Sequence, residues 1–103
     1  MSILFRRDVI AVINIGLLEQ RYLGRTAEVA IQDEEGQDLA PFIRKEITKI
    51  GLCPDQTHLR IYFEQQKFFA IPLHAEVIMD SDEWTATDLQ GNLKYMIRRV
   101  REI

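Results

Sequence analysis

The chain has 103 residues, of which 47% are hydrophobic and 28% are charged, and its formal net charge at pH 7 is −3. This length and composition are those of one ordinary globular domain, which excludes a compositionally disordered chain, and the acidic balance argues against a general nucleic-acid coat. The single cysteine, Cys53, excludes an intramolecular disulfide and any zinc site built from paired thiolates. We therefore expect residues 1–103 to form a single α+β domain.

Charge is distributed unevenly along the chain. Residues 1–25 carry four arginines and two acids, and residues 94–103 carry four bases and one acid. The segment between them carries five bases and thirteen acids. Both ends are therefore basic and the middle is acidic, and the sequence leaves open whether the two signs meet in the fold.

An apolar run, Val9 to Leu18, follows Arg6 and Arg7 and superficially resembles the start of a signal peptide. Asp8 interrupts the junction, and Glu19 stands where small residues would mark a cleavage site. The run is also about half as long as a membrane span. We therefore expect no membrane association and, by elimination, a cytoplasmic location.

The first two predicted elements are strands. Residues 8–15 contain five β-branched residues, which suits a central strand, although a helix that continues to Tyr22 is an alternative. Residues 26–32 alternate between apolar and polar side chains, as a half-buried strand does, and they end at an acidic turn that contains Gly36.

A helix is predicted over 39–50. Asp38 is a suitable N-cap, Pro41 falls in the first turn, and Gly51 stands where a helix often ends. Apolar residues recur at helical spacing along one face, namely Leu39, Ile43, Ile47 and Ile50, with Phe42 beside them.

Two further strands are predicted at 58–64 and 67–73, joined at Gln65 and Gln66. Pro72 places the end of the second strand at a sheet edge or a bulge, because proline cannot donate to a strand ladder. Residues 76–79 either extend that strand or form another short one.

The last predicted element is a helix over 87–102. Thr87 and Gln90 have capping-box spacing, and the apolar residues that follow fall within about a third of the helix circumference. Lys94, Arg98 and Arg101 share its solvent side. The order of elements predicts an α+β fold, with a small, mainly antiparallel sheet of four to five strands and two helices packed on one face.

The basic end of this last helix is the first candidate site. The predicted partner-binding residues are Lys94, Arg98, Arg99 and Arg101, with Trp84 just before the helix. The alternative for the four bases is an ordinary solvated helix end, where the macrodipole favours cations. The alternative for the tryptophan is that it covers the edge of the core.

The aromatic residues of the two middle strands are a second candidate, a platform on which nucleic-acid bases would stack. Neighbouring residues of a strand face opposite sides, so at most half of the rings can lie on one surface, and core packing explains the inward half. The residues concerned are Tyr62, Phe63, Phe68 and Phe69, with Arg60 and Lys67.

No pattern in the chain specifies catalysis, a metal or a cofactor, and we predict none of them. The acidic clusters 33–38 and 80–83 lack the spacing of a calcium loop. A proline–aspartate pair followed by Glu64 is typical of metal-dependent nucleases, but Gln66 stands where their lysine is required. A pair between Cys53 and either His58 or His74 is left open, although a buried, inert thiol is favoured.

The sequence therefore favours a small, non-catalytic protein-interaction, assembly or regulatory protein that acts through a strand edge or the C-terminal helix. Its predicted partner is another protein or a second copy of the chain. A nucleic-acid-associated protein that uses the basic face of the last helix is the alternative. A metal-dependent hydrolase that uses Asp55 and Glu64 is a second, less favoured alternative.

Overall fold

The computed structural model describes residues 13–33 and 38–100. Within these residues the chain forms one short α-helix, a single 3-10 turn at Glu64–Gln66 and seven strands, and all paired strands are antiparallel. The elements in chain order are α1 (Ile15–Tyr22), β1 (Thr26–Asp33), β2 (Asp38–Leu52), β3 (His58–Phe63), β4 (Phe68–Pro72), β5 (Glu76–Met79), β6 (Glu83–Asp88) and β7 (Leu93–Arg99).

The predicted fold class is wrong, because the protein is mostly β and its two predicted helices are strands. The helix predicted over 39–50 is part of β2. A β-bulge between Ile47 and Lys49 adds one residue to the strand, so Ile47 and Ile50 are both buried at a spacing of three. That spacing imitates the period of a helix, which is why the apolar pattern was misleading.

The helix predicted over 87–102 is the end of β6, a tight turn and β7. Its apparent capping signal belongs to the turn, since Asp88 Oδ1 accepts the N–H groups of Gln90 and Gly91 at 3.1 and 3.2 Å. A Cβ on Gly91 would lie 2.6 Å from Asp88 Oδ2, so a larger residue there would displace the carboxylate that holds the turn. Beyond the turn, Tyr95 and Ile97 are buried at the spacing of a strand.

The remaining strand predictions are confirmed by β1, β3, β4 and the separate short strand β5. Most of the strand predicted at 8–15 lies outside the described residues. From Ile15 the chain takes the alternative, a helix to Tyr22, which begins where the Asn14 side chain accepts the N–H of Leu17 at 3.1 Å. Leu18 and Tyr22 are its buried residues, and the Tyr22 hydroxyl donates to Ile97 O at 3.4 Å.

The sheet is rolled. Its strand order is β4-β3-β2-β1-β7-β6-β5, so β4 and β5 lie at opposite ends although only residues 73–75 separate them in the chain. The two ends must therefore approach each other, and the ring centroids of Phe69 on β4 and Tyr95 on β7 are 5.7 Å apart. Among the described residues no pairing joins β4 to β5, which leaves a seam between them.

The inside of the rolled sheet and the buried side of α1 form one hydrophobic core. Its largest fully buried side chains come from five strands and the helix, namely Trp84, Leu18, Ile47, Leu59, Ile61, Ile71 and Ile97. Each of β3 and β6 contributes every second residue to it. The described part of the chain contains no helix that is long and apolar enough to cross a lipid bilayer.

Replacing Trp84 tests the placement of the core. Trp84 is only 2% exposed, so we expect Trp84→Ala to lower the free energy of unfolding by about 3–5 kcal/mol in urea denaturation. The matched control is Ile78→Ala on β5, where the side chain is 41% exposed and the expected loss is about 1 kcal/mol or less. Equal small losses in both variants would contradict a core built around Trp84.

Candidate functional site

The residues predicted to bind a partner do not form one surface. Lys94 and Arg98 share one face of β7, whereas Arg99 points to the opposite face at the end of the strand. Arg101 lies outside the described residues. Trp84 is buried in the core. This agrees with the alternative that the tryptophan covers part of the core, and its side chain is not available to a partner. Of the predicted solvent-side stripe, Lys94 and Arg98 are described, and they share a face of a strand rather than of a helix.

Arg98 is already engaged within the fold. Its Nε donates to Glu28 Oε1 at 2.8 Å, and its guanidinium lies 3.7 Å from the centroid of the Phe42 ring. Arg44 approaches the same carboxylate, with its Nε 3.8 Å from Oε2. The charge of Arg98 is therefore compensated by contacts between neighbouring strands, and this residue is a weak candidate for binding a partner.

The four aromatic residues of β3 and β4 divide between the two sides of the sheet. Phe63 and Phe69 point inward, and their ring centroids are 5.0 Å apart at an interplanar angle of 88°. Tyr62 and Phe68 point outward, with centroids 5.2 Å apart. Half of the rings thus belong to the core, and the other half lie on an outer surface.

Cationic side chains border the outward rings. The Arg60 guanidinium lies 4.8 Å from the centroid of the Phe68 ring, and its Nη1 donates to the Tyr62 hydroxyl at 3.1 Å. Lys49 Nζ lies 5.4 Å from the centroid of Tyr62. Contacts of this kind contribute about 0.5–1 kcal/mol each at exposed positions. We call the surface formed by Lys49, Arg60, Tyr62 and Phe68 the aromatic–cationic face.

The strand β4 presents a free edge beside this face. Among the described residues β4 pairs only with β3. The bonds from Leu73 N to Thr57 O (3.1 Å) and from Phe63 N to Lys67 O (2.7 Å) show that odd-numbered residues of β4 bond to β3. The backbone groups of Phe68 and Ala70 therefore point away from the sheet.

Pro72 occupies the next outward position of the same strand. Its missing N–H would have pointed to the free edge, so the proline removes no bond of the β3–β4 ladder. The prediction that Pro72 ends an edge strand is confirmed.

A shallow cleft of about 420 Å³ lies between the free edge and the turn before β3. The cleft is lined by residues of the aromatic–cationic face on one side and by residues of that turn on the other. The lining residues are Cys53, Pro54, Asp55, Thr57, His58, Arg60, Phe68 and Ala70.

The turn at one end of the cleft is held together by Asp55. Its Oδ1 accepts a hydrogen bond from Cys53 Sγ at 2.8 Å, from Thr57 Oγ1 at 2.7 Å and from Thr57 N at 3.2 Å. These three donors, the thiol first, stabilise the carboxylate and lower the pKa of Asp55 to about 2. The acidic side chain thus has a local role in fixing the turn.

Cys53 and the histidines do not form a catalytic pair. Cys53 Sγ accepts the backbone N–H of His58 at 3.3 Å, while His58 Nδ1 is hydrogen-bonded to Thr57 Oγ1 at 2.8 Å. His74 lies on the corner between β4 and β5, where its Nε2 is 3.2 Å from Asp88 Oδ1. The thiol is buried and its contacts serve the turn.

The structure separates the two carboxylates of the hydrolase alternative. Asp55 precedes β3 and Glu64 follows it, and an extended strand of that length spans about 20 Å. Glu64 Oε1 instead accepts the N–H of Glu46 at 2.9 Å. Two carboxylates so far apart cannot share one Mg²⁺ ion, so the placement of Asp55 and Glu64 lends this alternative no support.

The acidic clusters do not gather into a metal site in the part of the chain that the structure describes. Asp80 Oδ1 accepts the N–H groups of Asp82 and Glu83, each at 2.8 Å, and thereby fixes the turn before β6. Most of the cluster at 33–38 lies outside the described residues. Across the described ranges, no group of three or more histidine, cysteine or acidic residues is placed to hold a metal ion.

Comparison of the chain with protein-family models, with curated proteins and with solved structures finds no match in any of the three. The function must therefore be inferred from the geometry of the free edge and the surface beside it.

Hydrogen exchange tests the free edge. We expect the amides of Phe69 and Ile71, which bond to β3, to exchange about 100-fold or more slowly than those of Phe68 and Ala70, because only the former need an opening of the sheet. The measurement is residue-resolved exchange by NMR. Equal protection of all four amides would show that another segment or a second copy covers the edge.

Titration of Asp55 tests the turn beside the cleft. We expect its carboxyl to titrate near pH 2 rather than 3.8, and Thr57→Val to raise this pKa because it removes one donor, while Thr57→Ser retains it. A folded-state pKa below the unfolded one means that the carboxylate stabilises the fold above about pH 4 and that this stabilisation is lost as the pH falls towards 2. An identical pKa in the valine and serine variants, measured by NMR, would contradict the hydroxyl's role.

Proposed function

We propose that the protein is a non-catalytic interaction module that binds an extended segment of a partner protein along the free edge of β4. The observation that carries this proposal is the set of outward backbone groups of Phe68 and Ala70, which lie beside an exposed aromatic and cationic surface. An added strand would use the backbone groups for affinity and the side chains of the face for selectivity.

Charge indicates what kind of segment the edge accepts. Lys49 and Arg60 lie on the aromatic–cationic face itself, and exposed Lys67 directly precedes β4. The nearest acids, Asp55 and Glu64, lie at the ends of β3 and already accept hydrogen bonds. A segment that carries acidic side chains on the same face as Phe68 therefore fits this edge best.

Ala70 lies opposite the position at which an acidic residue of the added segment would be recognised. Arg60 and Ala70 are paired across β3 and β4, so a residue added opposite Ala70 would lie in the same row, about 10 Å from Arg60 along the sheet. The short alanine side chain leaves room for Arg60 to reach across it. A planar guanidinium in that row would bind a carboxylate through two parallel hydrogen bonds.

The proposal places this interaction in the cytoplasm, where a free thiol such as Cys53 stays reduced. A basic helix face that could bind nucleic acid is not formed by residues 93–99, because they are a strand with Arg98 and Arg99 on opposite sides. Stacking of single-stranded nucleic acid on Tyr62 and Phe68 is instead a competing outcome of the test below.

Selection from a phage-displayed library of random peptides tests the proposal. We expect enriched peptides to combine β-forming residues with an acidic residue at alternate positions. Ala70→Pro removes one outward N–H without breaking the β3 ladder, and it should weaken a selected peptide about tenfold. Ala70→Ser is the matched control because it keeps the N–H, and its affinity should be unchanged.

Arg60→Gln separates side-chain selectivity from backbone pairing. This variant should weaken the selected acidic peptide about tenfold, yet bind the acid-to-amide form of the peptide as the unmodified protein does. Equal binding of the peptide to Ala70→Pro and to the unmodified protein would overturn the edge as the binding site. Binding of oligothymidylate without any peptide binding would overturn a protein partner, and self-association that Ala70→Pro abolishes would replace the partner by a second copy.

A further inference from the structure

The described parts of the two basic segments, 1–25 and 94–103, meet in the fold. β1 begins directly after Arg25, and β7 ends at Arg99, which pairs with Ala27. α1 ends beside them and contributes Arg21. These elements enclose a second cleft, of about 470 Å³, on a different part of the molecule from the free edge. The lining residues are Arg21, Tyr22, Arg25, Thr26, Arg99 and Val100.

We propose that this cleft binds the phosphate group of a small anionic ligand, and we call it the arginine cleft. Three arginines and two hydroxyl-bearing residues line it, and none of the described residues of its lining is acidic. Its volume lies in the range of small-molecule sites, about 300–1,000 Å³. The ligand is therefore larger than a single inorganic ion, and a diphosphate or a phosphate ester has the appropriate chemistry.

The arginines of this cleft keep their charge available. Arg25 and Arg99 form no ion pair with any residue in the described ranges. Arg21 Nη2 donates to a neutral group, the backbone oxygen of Asp80, at 2.5 Å. By contrast, the two arginines on the neighbouring part of the sheet, Arg44 and Arg98, share the carboxylate of Glu28.

Arg21 is also held in position before any ligand binds. Its guanidinium lies 5.5 Å from the centroid of the Tyr22 ring, and Tyr22 is itself buried and donates to Ile97 O. A cation fixed in this way loses little conformational freedom when it binds an anion. Arg21 therefore provides a fixed wall of the cleft, which Arg25 and Arg99 also line.

Acidic residues lie close by but outside the cleft. Asp80, Asp82 and Glu83 line a neighbouring depression on the other side of Arg99. Their carboxylates repel an anion, so the proposed site relies on directional hydrogen bonds as well as on charge. The forked donors of arginine match the oxygens of a phosphate group, and this geometry selects phosphate over chloride.

Binding of inorganic pyrophosphate, measured by calorimetry against sodium chloride of equal ionic strength, tests the arginine cleft. We expect saturable binding that exceeds any effect of chloride. Arg25→Gln and Arg99→Gln should each weaken it about tenfold, since each removes charge-assisted hydrogen bonds. Arg99→Lys keeps the charge but loses the fork, so it should fall between Arg99→Gln and the unmodified protein.

Arg44→Gln is the matched control, because it removes an exposed arginine that does not line the arginine cleft. Its affinity for pyrophosphate should equal that of the unmodified protein. Equal weakening by Arg44→Gln and Arg99→Gln would show unspecific charge attraction and overturn the proposal, as would pyrophosphate binding no better than chloride. Binding of a short oligonucleotide that Arg99→Gln abolishes, with no binding of pyrophosphate, would overturn the small-ligand proposal in favour of a nucleic-acid backbone.

Discussion

The pairing of β1 with β7 is the interaction on which the rest of the structure depends. It joins residues from opposite ends of the chain in seven consecutive pairs, from Ala27 with Arg99 to Asp33 with Leu93, without a shift of register. On one side of it the chain runs through β2 to β4, and on the other through β6 to β5. The pairing thus turns two short meanders into one rolled sheet around a common core.

Both candidate sites follow from this pairing. β1 and β7 lie near the middle of the strand order, so among the described residues the sheet ends at β4 on one side and at β5 on the other. The free edge is that of β4. The same pairing brings Arg99 next to the start of β1 and closes the arginine cleft. The contact between Phe69 and Tyr95 across the interior packs β4 against the core, and among the described residues β3 is its one paired neighbour.

The sequence predicted those elements whose pattern is strictly local. β3 alternates over its whole length and β1 over its first half, and Pro72 marked the end of an edge strand. β2 was missed because its bulge puts two buried isoleucines three residues apart, and β7 because the Asp88 turn offers the same capping chemistry as a helix start. In both segments, pairing with neighbouring strands outweighed the local preference for a helix.

The two candidate sites could be predicted only in part from the sequence, for the same reason. Strand alternation alone predicted that at most half of the four aromatic rings lie on one surface, but nothing local shows that β4 rather than another strand lies at the end of the sheet. The convergence of Arg21 and Arg99 depends on contacts between distant segments, which a single sequence does not specify.

Pro72 opposes aggregation of the protein through the exposed edge of β4. An exposed edge strand is a template on which further chains can add, and long edges of this kind promote aggregation. Here the outward donors stop at Ala70, since Pro72 has none to offer, and β4 is only five residues long. The outward backbone groups of so short a strand end at Pro72, which limits how far a further chain could add to this edge.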